Sequence, residues 1–205
     1  KILKIIISLL VVVLCVLAVK AVKEASYKAH LKKPVQIQPG ARFKGAVDAP
    51  VRILEYTDFQ CPACSKVVKS VDELLKTYSG KVSLEHKHFP LPGHKNALKA
   101  SLFAECAAAQ GKFWPYHDVL FGSQTSWTGL DDPSQYFEDL GMQLNLDRDK
   151  LKACVAGKGA AQKIESDKMD GEIAGVSATP TFVIEGKLYV GLSNLRDELE
   201  TRLGK

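Results

Sequence analysis

The sequence predicts an α/β domain whose elements run βαβ, then a series of helices, then ββα. Three observations predict it. An aliphatic strand leads straight into a Cys-x-x-Cys helix start, a long middle stretch carries helical patterns, and a hairpin followed by a leucine-spaced helix closes the chain. The composition agrees with one folded body: 205 residues, 46% hydrophobic and 25% charged, which excludes intrinsic disorder, collagen and coiled-coil arrays.

The first element is an apolar run, Ile5 to Val19, preceded by Lys1 and Lys4. Extended to residues 1–22, with Lys4 and Lys20 snorkelling, it approaches the roughly 20 residues of a membrane span. A signal peptide has the same layout, but Lys20 and Lys23 interrupt the small-x-small pattern that cleavage needs. An uncleaved anchor is therefore expected, with a cleaved signal as the alternative. The lysines that follow the run outnumber the two before it, which on the positive-inside rule alone would keep the body in the cytoplasm. Residues 23–44, polar and interrupted by Pro34 and Pro39, are expected to be a basic linker. Nine Lys/Arg against one acid in residues 1–44 supply more than the whole net charge of +5, so the body is mildly acidic. Nucleic-acid binding, which needs a basic stripe on the folded surface, is not expected.

The folded body is expected from about Gly45. Val51–Tyr56 reads as a strand apolar on both faces apart from Arg52 and Glu55. After Cys61-Pro62-Ala63-Cys64 come Val67, Val68, Val71, Leu74, Leu75 and Tyr78, one face of an amphipathic helix with Pro62 in its first turn. Lys81–Phe89 is a second strand. The Ala-rich Ala97–Gln110 and the aromatic Phe113–Phe121 are helices within a region that reaches about Gly175. Thr181–Ile184 and Leu188–Val190 form a hairpin around Glu185-Gly186-Lys187. A last helix is expected from about Asn194 to Leu203, with Gly204 as its stop.

The CPAC motif carries the chemistry. Two cysteines at a helix start can close a small disulfide ring, and the first meets free backbone N–H groups that stabilise its thiolate. The rival reading is half of a zinc site, with His86 and His88 completing the set. Structural zinc normally takes two such pairs, however, and HxH on a strand is not zinc-finger spacing.

The segment EYTDFQCPACSK (residues 55–66), taken with the distant Ala178-Thr179-Pro180-Thr181, resembles the DsbA-type thiol-disulfide oxidoreductases of the thioredoxin superfamily. The resemblance covers residues from about 43 to 203. It implies a thioredoxin-like α/β fold with a helical insertion between the second and third core strands. On that reading residues 45–94 and 176–205 form the thioredoxin-like domain and 95–175 the inserted helical subdomain. It further implies that Cys61 is the exposed nucleophile, Cys64 the resolving thiol and Pro180 the cis-proline. Thr179 is then the residue whose backbone pairs with substrate, and Glu55 the buried acid that relays the Cys64 proton. The bland reading of Glu55 is a solvated acid at a strand end, and that of Pro180 an ordinary turn proline.

Cys106 and Cys154 fall in predicted helices of the insertion. The resemblance implies a second, structural disulfide there; without it they are two buried thiols. Such a bond favours an oxidising compartment over the lysine count, and so an extracytoplasmic body. His86, His88 and His94 lie near the end of the second strand, where one of them can tune Cys61 or all three can simply pack. The expected activity is oxidation of exported proteins by thiol-disulfide exchange, with no cofactor beyond the cysteine pair. Reduced exported proteins are the expected substrates and an integral membrane quinone-linked oxidase the recycling partner. A reductase or isomerase, or a non-catalytic peptide-binding or chaperone module, is the alternative.

Overall fold

A computed structural model describes residues 2–31 and 42–204. They fall into two units, divided at Pro34. The first holds one helix, α1 (Ile2–Leu31). Helix therefore runs through residues 23–31, where a linker was expected. Lys23-Glu24-Ala25 are good helix formers, and no Gly or Pro occurs before Pro34 to stop the helix. Of that linker, residues 32–41 lie outside the described residues, and 42–44 belong to the folded body instead. The apolar run falls within α1, with Leu10 to Leu14, Val16, Leu17 and Val19 exposed along it. Among the described residues no helix is long and apolar enough to cross a membrane. The side chains of residues 1–6, 8 and 9 are not among those described.

The second unit opens with an element the sequence did not announce, the edge strand β1 (Phe43–Gly45). Three residues are too few for any periodicity to be read. What holds them is Arg42, buried and paired with Asp167 and Glu105. The body thus begins at Arg42, a little ahead of the expected Gly45.

There follow β2 (Val51–Thr57), α2 (Pro62–Thr77) and β3 (Val82–His88), the βαβ unit. Six helices come next: α3 (Ala97–Ala108), α4 (Phe113–Gly122), α5 (Gln124–Trp127), α6 (Ser134–Gln143), α7 (Arg148–Ala156) and α8 (Gly159–Ala174). The hairpin of β4 (Thr181–Ile184) and β5 (Lys187–Val190) then leads into α9 (Gly191–Leu203). α9 starts three residues before the expected Asn194, at a glycine whose φ of 77° turns the chain directly from strand into helix.

The sheet order is β1-β3-β2-β4-β5. β2 is central, parallel to β3 and antiparallel to β4, while β1 and β5 are antiparallel edges. This is the thioredoxin-like arrangement expected, with the helices inserted between β3 and β4.

Two cores result. One lies between the sheet and helices α2 and α9, built from Val51, Ile53, Val71, Leu84, Phe182, Leu195 and Leu199 among others. The other fills the insertion with Phe103, Tyr116, Leu120, Trp127, Phe137 and Leu151. Phe59, Cys61 and Cys64 belong to this second core. The turn that carries the cysteines is therefore packed by the insertion as well as by His86 and His88 of β3. On the opposite sheet face α8 comes close through Gly171, where a Cβ would stand 2.7 Å from Phe89 and 2.9 Å from Tyr56. Any larger residue would push α8 off the sheet.

Candidate active site

β2 ends at Thr57, and the turn Asp58–Cys61 leads into α2. Asp58 holds that turn together. Its backbone carbonyl accepts from the Cys61 N–H at 3.0 Å, one carboxylate oxygen accepts from the Gln60 N–H at 2.7 Å, and the other accepts from the Leu91 N–H at 2.8 Å. His94 Nδ1 lies 2.7 Å from the same carboxylate. Cys61 is the N-cap of α2, with extended backbone (φ −72°, ψ 120°), and Pro62 follows in the first turn. Proline fits there because the first N–H groups of a helix have no internal partner.

Both thiols are free. Cys61 retains 7% of its surface and Cys64 only 1%, so the first is the more accessible but not openly exposed, as the resemblance had implied. The insertion core against the turn is what covers it. The Cys61 thiol donates to the Thr179 carbonyl at 3.4 Å, and the Thr179–Pro180 bond is cis. Cys61, Cys64, Thr179 and Pro180, distant in sequence, thus meet at one place.

The two sulfurs differ sharply in acidity. A hydrogen bond from the Cys64 thiol, helped by Thr179 and by the N–H groups of Cys64 and Ala63, lowers Cys61 to about 5 against the opposing effect of burial. Burial pushes Cys64 the other way, upward, reinforced by the hydrogen bond it gives to Cys61 and by the neighbouring negative charge. One thiol is ready to act as nucleophile and the other is held protonated.

Glu55 is buried on the face of β2 that also carries Ile53, under α2. The reading of a solvated strand-end acid does not fit this position. Desolvation raises it to about 7, partly offset by Lys44 and reinforced by Asp72. Lys44 and Asp72, themselves paired at 2.7 Å, rather than the cysteines, are the charges that act on it.

The three candidate histidines separate. His94 joins Asp58 at the active-site turn. His86 and His88 share a face of β3 and are fully buried with His117 of α4, their ring centroids 4.8–6.1 Å from Phe113. All three of these buried rings are pushed below the usual histidine range, chiefly by desolvation. Among the described residues no three His, Cys, Asp or Glu side chains converge as a metal site would need.

Cys106 of α3 and Cys154 of α7 are joined by a disulfide, with Cα atoms 5.7 Å apart. Sequence reasoning missed Asp58, Gln60, Asn96 and Gln124. Gln60 accepts from the Asn96 N–H at 2.7 Å, while Gln124 donates to the carbonyls of Phe59 and Cys61. Isolated polar residues carry no periodic signal; Asp58, three residues before Cys61, was the one whose position could have drawn notice.

A family model described as thioredoxin matches residues 38–201. The chain belongs to the thioredoxin family. Among solved structures, the thioredoxin-family chain is similar to Bacillus subtilis BdbD in its oxidised form, with TM-score 0.70 and 22% identity over 85% of this chain and 100% of that one. It is also similar to Wolbachia pipientis alpha-DsbA1, with TM-score 0.67 and 24% identity over 82% and 92%. Pseudomonas aeruginosa DsbA2 gives 0.66 and 23% over 84% and 100%. The fold is accordingly that of the DsbA type. Among curated proteins it is 36% identical over 153 residues to a Na(+)/H(+) antiporter NhaA 3 of Salinispora tropica, and 33% identical to an NhaA 1 of Salinispora arenicola. The alignment takes in 74% of this chain but only 22% of either antiporter.

Proposed function

We propose that this thioredoxin-family chain is a thiol-disulfide oxidoreductase that passes the disulfide of Cys61 and Cys64 to reduced exported proteins. The observation that carries the reading is the opposed acidity of the two thiols beside the Thr179–Pro180 loop.

The exchange balances as follows. A substrate thiolate attacks Cys61 Sγ of the oxidised pair, forming a mixed disulfide as the Cys61–Cys64 bond breaks. Cys64 leaves as a thiolate and takes up a proton, which its raised affinity favours; the family resemblance assigns the supply of that proton to Glu55, whose carboxyl burial raises to about 7. A second substrate thiolate attacks the substrate sulfur of the mixed disulfide and releases Cys61 as a thiolate. Two electrons have passed to the protein, and the substrate has gained one disulfide. Thr179 presents its backbone to the substrate strand at this point. A low Cys61 pKa stabilises the reduced form, so the disulfide is a strong oxidant.

Reoxidation then needs an acceptor, for which an integral membrane quinone-linked oxidase is the chemistry expected. The proposed compartment for the body is the extracytoplasmic side; no described helix is long and apolar enough to cross a membrane, so a signal segment that is removed fits better than an uncleaved anchor. The Cys106–Cys154 bond is consistent with that side.

Equilibration with glutathione followed by thiol trapping, together with oxidation of a reduced unfolded protein, tests the reading. A potential well above thioredoxin's roughly −270 mV and a catalysed oxidation are expected. A pair as reducing as thioredoxin would refute the oxidase direction.

A further inference from the structure

The turn that carries Cys61 is held on one side by the side chain of Asp58, three residues away in its own turn, and on the other by a side chain from the insertion. Gln124, on the short helix α5, is buried, and its Nε2 lies 2.7 Å from the Phe59 carbonyl oxygen and 3.0 Å from that of Cys61. Two acceptors facing one end of a carboxamide settle which end is the NH2. Both its protons are committed to this turn, across 65 and 63 residues of sequence.

The Cys61 carbonyl also accepts from the Ser65 N–H at 3.2 Å, as the first turn of α2 requires. Gln124 therefore adds a second donor to the peptide unit whose ψ of 120° sets where Sγ stands relative to the N–H groups of Ala63 and Cys64. It also balances two buried carbonyl dipoles whose negative ends lie in the same turn as the sulfur. Without Gln124 the Phe59 carbonyl loses this donor and the Cys61 carbonyl keeps only the Ser65 N–H; a carbonyl that rotates toward a replacement donor turns its peptide unit, and at Cys61 that moves the side chain on the same residue.

We propose that Gln124 is a positioning residue for Cys61, a donor by which the helical insertion fixes the nucleophile's peptide unit and so tunes its reactivity. The insertion then does more than cover the active site. This inference deepens the reading of Cys61 as nucleophile and rests on it. Gln124 touches neither substrate nor sulfur and acts through the backbone.

The test uses the full chain and reads the Cys61 thiolate directly, by thiolate absorbance and by the pH dependence of its alkylation in the reduced protein. Gln124→Met keeps the side chain's length and removes both donors; Gln124→Glu keeps the shape and turns an acceptor toward two carbonyls. Tyr116→Phe serves as control. It deletes a buried hydrogen bond within the same insertion core, from the hydroxyl to the Phe137 carbonyl at 2.6 Å, without touching the turn. The Gln124 variants should raise the Cys61 pKa by about one unit, a roughly tenfold loss of thiolate at pH values below it. The glutathione equilibrium should shift toward a less oxidising pair, and Glu should act at least as strongly as Met. Tyr116→Phe should lower the melting temperature and leave the Cys61 titration where it was.

Gln124 variants that fold with the wild-type Cys61 pKa overturn the proposal, as does a control that shifts it equally. A wild-type Cys61 that titrates at the ordinary thiol value of about 8.5 overturns the nucleophile reading and this inference together. A low wild-type value that the Gln124 variants leave unchanged overturns this inference alone.

Discussion

Glu55→Gln should make the folded body more stable at alkaline pH while changing little in acid. Glu55 is 5% exposed, and burial raises its carboxyl from an unfolded value of 4.5 to about 7. A group whose folded pKa is raised contributes stability in full below the unfolded pKa and loses it as pH climbs through the folded one. The difference of about 2.5 units, at 1.36 kcal/mol per unit, amounts to about 3 kcal/mol lost between roughly pH 4 and pH 8. Glutamine fills the same space with no proton to lose, so the variant escapes that loss. At pH 8.5 it should exceed the wild type by up to that amount, an increase on the order of 10 °C in melting temperature for a domain of this size. Denaturant unfolding of both reduced proteins at pH 4 and pH 8.5 measures it. The double difference cancels every other titrating group the two proteins share. A gain of the same size at both pH values would refute the reasoning, because it would show Glu55 costing stability through packing rather than through its charge. If Glu55 also supplies the Cys64 proton, the more stable variant should be the slower catalyst above neutral pH.

Cys64→Ala should accumulate mixed disulfides with substrate through Cys61, and Cys61→Ala should accumulate none; non-reducing electrophoresis that finds complexes surviving the loss of Cys61 would reverse the roles. The Cys106–Cys154 bond spans a sequence separation of 48, for which the chain-entropy model gives about 4 kcal/mol. Replacing both cysteines by alanine should lower the melting temperature by several degrees and leave the Cys61 titration intact. His86, His88 and His117 are buried with pKa values below 6.5, so the unfolded chain binds more protons below that pH. The stability these neutral rings contribute should be fully present above about pH 6.5 and decline beneath it. His86→Phe, among Phe59 and Phe113, should flatten that decline in a stability profile, and an unchanged acid limb would argue against it.

The elements legible in the sequence were those with a period. Val51–Tyr56, the amphipathic face from Val67 to Tyr78 and the hairpin around Gly186 all carry patterns that burial enforces, and each has its counterpart within a residue or two. The cysteine pair was legible because a thiol couple at a helix start has few other uses. β1 was not, since it is held by Arg42 and by pairing to β3 rather than by any pattern of its own. Nor was the continuation of α1, because the prolines that marked a linker lie beyond the residues that still favour helix.

Gln124 and Asp58 illustrate a different limit. A polar residue that satisfies backbone groups through its side chain leaves no trace in hydropathy, and its partners are settled only when the chain has folded. Both residues act on the Cys61 turn, one from the end of the sheet and one from the inserted helices. The sheet supplies the cysteines with a helix start and the loop of Thr179 and Pro180, and these are features of the shared core. The insertion supplies the packing around Phe59 and Cys61 and the amide at Gln124, and these can vary while the core stays as it is. If redox character is to differ between chains that share a fold and a Cys-x-x-Cys spacing, the insertion beneath the turn is where such differences can arise without disturbing the sheet.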